Sequence, residues 1–99
     1  MTSDHFHVLN GPEMTGKREA VDEIAKALSF PEWFGHNLDA LHDSLVDLSW
    51  LPAGEHVLIW PRPDVLARRD PQAFEAIKAV LTDAEQATGD RTLSVLYLD

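Results

Sequence analysis

The chain has 99 residues, of which 44% are hydrophobic and 25% charged, a composition typical of one folded domain and not of a disordered segment. Eight Lys and Arg against 17 Asp and Glu give a formal net charge of −9, which repels nucleic-acid phosphates and attracts basic proteins over long range. There is no cysteine, so disulfide bonds and thiolate metal sites are excluded.

Targeting signals are not evident in the sequence. No apolar run follows a basic stretch near residue 1, which argues against a secretory signal. The longest apolar run, residues 57–60, is far shorter than the roughly 20 residues of a membrane helix. We therefore expect a single domain over residues 1–99, located in the cytoplasm and without a cofactor or metal ion.

The chain begins with a predicted strand and a predicted helix. Residues 5–9 alternate, with Phe6 and Val8 on one side, and a turn follows at residues 10–12. Apolar residues then recur at helical spacing over residues 17–28. These patterns predict a short strand, a turn and an amphipathic helix.

An aromatic loop and a second helix come next. The loop covers residues 30–36, and the helix covers residues 38–48 with Asn37 as its N-cap. We expect Phe34 in the core and Trp33 at the surface beside the helix. An aromatic side chain next to charged groups is typical of an interface hot spot.

The second half of the chain predicts two more strands around a third helix. Residues 56–60 form a continuous apolar run, which favours a strand buried on both faces. Residues 64–69 fit a short helical turn. The third helix begins with Asp70 as its cap, followed by a proline, and Gly89 is expected to end it. Residues 92–98 predict the last strand.

The order of these elements predicts the fold class. Strand, helix, helix, strand, helix, strand is the pattern of an α/β protein in which helices pack on a small parallel sheet.

The second helix carries a row of acidic residues on the side opposite its leucines. At about 100° per residue, the leucines at positions 38, 41, 45 and 48 cluster on one side. Asp39, Asp43 and Asp47, spaced by four residues, form a row centred opposite them. Because the leucines must face the core, the three carboxylates are expected to face solvent or a partner.

This acidic row lacks compensating cations in the neighbouring sequence. Carboxylates four residues apart on a helix cost roughly 0.2–0.5 kcal/mol per pair, and most surfaces offset this with interleaved Lys or Arg. Between Lys26 and Arg62 there is no Lys or Arg at all. A locally unfavourable row without compensation indicates selection for binding something outside the fold.

Residues 30–45 resemble the signature of the barstar family, the intracellular inhibitors of the ribonuclease barnase. The remaining elements follow in the same order, so the resemblance covers nearly the whole chain. It implies a three-stranded parallel sheet packed with three to four helices, and an inhibitor rather than an enzyme. The most specific part is the string Gly35-His36-Asn37-Leu38-Asp39-Ala40-Leu41-His42-Asp43, after an aromatic pair.

The resemblance also implies roles for residues of the loop and helix. Asp43 would enter the catalytic pocket of a small basic, guanyl-preferring secreted ribonuclease and take the place of the substrate phosphate. Asp39 would pair with an arginine at the pocket edge, and Trp33 would pack on the catalytic histidine where the family usually has Tyr. Gly35 and Asn37 would shape the loop and contact the enzyme through backbone groups.

Four further positions complete the predicted binding surface. Asp83 on the third helix matches an acidic rim position, and Asp47 ends the acidic row. His36 stands where the family commonly has an acid, and His42 stands where it has Trp. Because His42 lies beside the row, we expect modestly weaker binding when it takes up a proton in mild acid.

Other readings of the sequence remain open. His5 and His7 share one strand face and could bind a metal ion, although no third ligand is identifiable. Paired Asp residues could act as acid and base on a glycoside, although a convex helix offers no cleft. The strongest alternative is an acidic module, or a nucleic-acid mimic, directed at a different basic protein. Inhibition of added ribonucleases separates that alternative from a ribonuclease inhibitor.

Overall fold

The computed structural model describes residues 5–31 and 35–98, so Trp33 and Phe34 lie outside the described residues. α4 is the longest helix, with 14 residues, and no helix of the described segments is long and apolar enough to cross a membrane. The elements, in chain order, are β1 (His5–Val8), a 3-10 helix (Gly11–Glu13), α1 (Lys17–Ala27), α2 (Leu38–Asp47), β2 (Gly54–Pro61), α3 (Pro63–Arg69), α4 (Pro71–Ala84) and β3 (Arg91–Leu98).

The three strands form one parallel sheet in the order β1-β2-β3. Phe6 of β1 pairs with Val57 of β2, which pairs in turn with Ser94 of β3. The predicted α/β class with a small parallel sheet is confirmed. The helical turn predicted at residues 64–69 is present as α3.

The core lies between one face of the sheet and the helices. Leu58 and Trp60 of β2 and Leu93 of β3 point into it and are almost fully buried. They pack with apolar residues from each of the four α-helices, including Ile24, Leu45, Leu66 and Ile77. Burial of this continuous apolar layer is the main favourable contribution to the fold.

The opposite, outer face of the sheet stays open to solvent, contrary to the expectation of a strand buried on both faces. Val57 and Ile59 of β2 are only half-buried. On the flanking strands Phe6 is 63% and Leu96 48% exposed. The apolar run of β2 is therefore explained by the central position of this strand in the sheet and not by burial on both faces, since helices cover only one face of the sheet.

Two helices begin at the caps that the sequence predicts. The side chain of Asn37 accepts a hydrogen bond from the Ala40 amide at the start of α2. Asp70 does the same for the amide of Ala73 at the start of α4. Each cap satisfies an amide that has no partner within its helix.

The predicted end of the third helix is wrong. α4 ends at Ala84, five residues before Gly89. Glu85 is the C-cap of the helix, and its carboxylate accepts the backbone N–H of Val95, at 3.0 Å, along the free edge of β3. Gly89, with φ of 136°, instead lies in the turn that leads into β3.

Candidate protein-binding surface

Helix α2 is oriented as its periodicity predicts. Leu41 and Leu45 are almost fully buried in the core. Asp39, Asp43 and Asp47 are exposed on the other side, and the side chain of Asp43 is 86% accessible. Carboxylates one turn apart lie roughly 6 Å from each other, so the row forms a compact anionic stripe.

The anionic stripe has no compensating Lys or Arg among the residues that the structure describes. Asp64 shows the contrast, because it binds both Arg62 and Arg68, and the hydrogen bond from Arg62 holds its pKa below the ordinary value. Within residues 5–31 and 35–98, Asp39 and Asp43 form no ion pair with Lys or Arg. Asp47 accepts a hydrogen bond from the hydroxyl of Ser49, at 3.0 Å. The charge of this stripe is therefore available to a partner.

His42 connects the anionic stripe to the last long helix. Its Nε2 lies 2.5 Å from Oδ2 of Asp83 on α4, and its Nδ1 lies 3.9 Å from Oδ1 of Asp43. Asp83, predicted from the resemblance alone, is therefore brought next to α2 by packing between the two helices. Asp83 therefore extends the anionic surface from α2 to α4, and His42 lies between the two helices.

The end of the aromatic loop is fixed by hydrogen bonds before α2 begins. His36 has a φ of 50°, a left-handed conformation that turns the chain into the helix, and its Nδ1 lies 2.8 Å from Oδ1 of Asp22 on α1. The side chain of Asn37 donates to the carbonyl of Gly35, at 3.1 Å. A Cβ at Gly35 would lie 3.3 Å from that amide nitrogen, so glycine gives Asn37 its room.

The start of the loop is held by an aromatic contact. The indole Nε1 of Trp50 donates to the carbonyl of Leu28, at 2.9 Å, and its ring meets Phe30 edge to face, with 5.3 Å between centroids. The amide of Phe30 also donates to Ala25 at the end of α1. Both ends of the loop are thus attached to α1, either directly or through Trp50.

Sequence reasoning missed three residues of this surface and its supports. Val46 is 40% exposed, and in helical projection it lies between His42 and Asp43, in line with Asp39. An apolar residue outside the leucine side of α2 was the available signal. Trp50 and Asp22 support the loop through contacts distant in sequence, which no local pattern reveals.

The structure also bears on the alternative that His5 and His7 bind a metal ion. His5 and His7 do share one side of β1, the side that faces the core. Within residues 5–31 and 35–98, no group of three or more His, Asp or Glu has the geometry to hold a metal ion.

This α/β domain presents a row of exposed carboxylates that pair with no Lys or Arg of the described residues, on a convex helix packed against a second helix. These are the features of a protein-binding domain for a cationic partner. A family model described as Barstar (barnase inhibitor) matches residues 4–98, and the chain therefore belongs to the barstar family. That family is described by inhibition of barnase and not by catalysis. No curated protein was found to match the chain.

Proposed function

We propose that this protein inhibits a small basic, guanyl-preferring secreted ribonuclease by placing the anionic stripe of α2 in its active site. The proposal rests on one observation, namely that Asp39 and Asp43 are exposed on a leucine-backed helix and pair with no Lys or Arg of the described residues. Membership of the barstar family supports a barnase-type partner in general. The finer assignments follow from the chemistry of these side chains.

A ribonuclease active site is a cationic pocket that binds phosphate, and carboxylates on a rigid helix are competing anions. In the proposed complex Asp43 occupies the phosphate position, and Asp39 pairs with an arginine at the edge of the pocket. Charge-assisted hydrogen bonds formed away from water slow the dissociation of such a complex. The leucine face of α2 fixes both carboxylates before binding, so little conformational entropy is lost.

The residues around the stripe complete the proposed interface. Gly35, His36 and Asn37 present the backbone of the loop, and Trp33 supplies an aromatic contact with the enzyme. A rim of side chains surrounds the central carboxylates: His42, Val46, Asp47 and Asp83. Binding of this kind protects the RNA of the producing cell, which fits the predicted cytoplasmic location.

Inhibition of barnase by the purified chain tests the proposal, with Asp43→Asn and Asp43→Ala as the decisive variants. Both variants remove the charge from an exposed position, so we expect an unchanged fold. Truncation of an interface hot spot costs about 2 kcal/mol or more, so we expect affinity to fall at least about 30-fold. The loss should come mainly from faster dissociation, measured by surface plasmon resonance.

Glu13→Gln is the matched control. It removes one exposed carboxylate from the 3-10 helix, which packs against α3 and β2. This variant should inhibit as strongly as the wild type. If Asp43→Asn also kept full affinity, Asp43 would not be the group that fills the pocket. A chain that bound another basic protein and left ribonucleases active would favour the acidic-module alternative.

A further inference from the structure

Three histidines form a cluster on the inner face of the sheet, away from the anionic stripe. His56 of β2 is fully buried, and its ring stacks on that of His5, with 4.6 Å between centroids. Nε2 of His7 lies 3.0 Å from Nδ1 of His56. Imidazoles in contact are unusual in a core because each can take up a proton near neutral pH.

His7 and His56 belong to a chain of three short contacts that ends on a carbonyl oxygen at each side. Nε2 of His56 lies 2.8 Å from the Pro52 oxygen, and Nδ1 of His7 lies 3.2 Å from the Ala27 oxygen. These contacts therefore join β1 and β2 to the C-terminal end of α1 and to the segment before β2.

These three contacts need one more hydrogen than two neutral imidazoles carry. A neutral imidazole has one N–H, and carbonyl oxygens only accept, so two neutral rings supply hydrogens for two of the three contacts. If His56 donates to Pro52 and His7 donates to His56, Nδ1 of His7 faces the Ala27 oxygen without a hydrogen. That contact is the longest of the three. A single proton added to His7 supplies the hydrogen for the third contact.

Apart from the Ala27 carbonyl, no acidic group among the described residues bonds the pair and could offset the charge of an added proton. His5 is in stacking contact, and its buried Nε2 has no hydrogen-bond partner within the described residues. Arg91 of β3 donates to the carbonyl of Leu51, at 2.6 Å, next to Pro52, and the exposed Lys26 precedes Ala27 on α1. In the described chain, no carboxylate bonds any of the three imidazoles.

We propose that His7 and His56 form a proton-binding pair that makes the stability of the fold decrease in mild acid. Without the added proton, the two rings make two of the three hydrogen bonds. In mild acid His7 takes up a proton and bonds to Ala27, but it becomes a cation in a partly buried cluster without a counter-charge.

The sign of the effect follows from the balance at His7. Desolvation by burial, together with repulsion from His56 and His5, lowers the pKa of His7 from its ordinary 6.5, against the opposing hydrogen bond to Ala27. The unfolded chain therefore binds this proton more readily than the folded protein does. The stabilisation is complete above pH 6.5 and is lost as pH falls from there towards the pKa of the folded protein.

Urea unfolding of the full chain at pH 8, 7, 6 and 5 tests the proposal, with His7→Gln as the variant. Gln keeps a donor for His56 but cannot titrate. In the wild type, uptake of one proton on unfolding raises the unfolding equilibrium constant by up to about tenfold per pH unit below neutral. The variant should show a smaller dependence on pH. The control His36→Gln, which removes an exposed histidine, should not reduce it.

Imidazole NMR of the wild type gives a second readout, which does not depend on the variant folding. We expect the His7 resonances to shift only below pH 6.5, and the His56 resonances to respond to the same proton because the two rings are in contact. Equal pH dependence in wild type and His7→Gln overturns the proposal. So does titration of His7 in the folded protein at or above the ordinary value.

Discussion

At His42 the carboxylates of Asp43 and Asp83 approach the two nitrogens of one imidazole. Asp83 is close enough to Nε2 for a hydrogen bond, at 2.5 Å, whereas Asp43 lies 3.9 Å from Nδ1. A protonated His42 can donate to Asp83 and attract Asp43 as an ion pair, whereas a neutral one has a single N–H and no charge. The charge that the surface offers to a cationic partner therefore depends on this one side chain.

We predict that binding to barnase weakens a few-fold between pH 8 and 5.5 through His42. A proton on His42 neutralises part of the anionic surface and holds Asp43 towards its own helix. The pH series of dissociation constants, measured by calorimetry, should be flatter for His42→Gln than for the wild type. Because the enzyme is the same in both series, its own titration cancels. Identical series for the two proteins would contradict a role for His42.

The second helix is the element on which fold and proposed binding meet. One side of α2 fills the core with leucines, and the other carries the anionic stripe. The neighbours Leu45 and Val46 mark the boundary, since the first is 1% exposed and the second 40%. Because the two sides do different work, their substitutions should have separable effects.

We predict that Leu45→Ala destabilises the protein by about 2–5 kcal/mol, because it leaves a cavity in the core. Val46→Ala should change stability by no more than about 0.5 kcal/mol, as is usual at exposed positions. The same Val46→Ala change should weaken barnase binding several-fold, since it removes the apolar contact among the carboxylates. Urea unfolding and a binding assay measure the two quantities. Full affinity in Val46→Ala would exclude Val46 from the interface.

At the scale of the molecule, the net charge of −9 determines how partners approach. Asp64 is neutralised locally by Arg62 and Arg68, whereas no Lys or Arg of the described residues pairs with the anionic stripe. Exposed Phe6, Val8 and Leu96 make much of the outer face of the sheet apolar, with Glu55 as a charged residue on it. Attraction of a basic protein is therefore directed towards α2 and the adjoining part of α4.

We predict that the association rate with barnase falls at least about tenfold between 50 and 500 mM salt, because the screening length shrinks from about 14 to about 4 Å. The dissociation rate should change much less, since the bonds in the complex are sheltered from solvent. Stopped-flow mixing measures both rates, and urea unfolding at the same salt concentrations checks the fold. An association rate that is insensitive to salt would argue against electrostatic steering.

Local chemistry made much of this protein predictable. Asn37 and Asp70 cap the helices that the sequence assigns to them, because a cap bonds an amide three residues away. The inward leucines and outward aspartates of α2 follow from helical periodicity alone. The position of the anionic stripe is therefore predictable from the sequence.

The remaining features depended on contacts between residues distant in the chain. Periodicity could not show that helices cover one face of the sheet only, or that α4 ends where Glu85 reaches the edge of β3. It could not bring Asp83 to His42 or His7 to His56, since these pairs are 41 and 49 residues apart. The sequence by itself determined the elements and the charge of α2, because those depend on neighbouring residues. The tertiary structure decided which side chains contact each other or share a surface, because packing alone brings distant residues together.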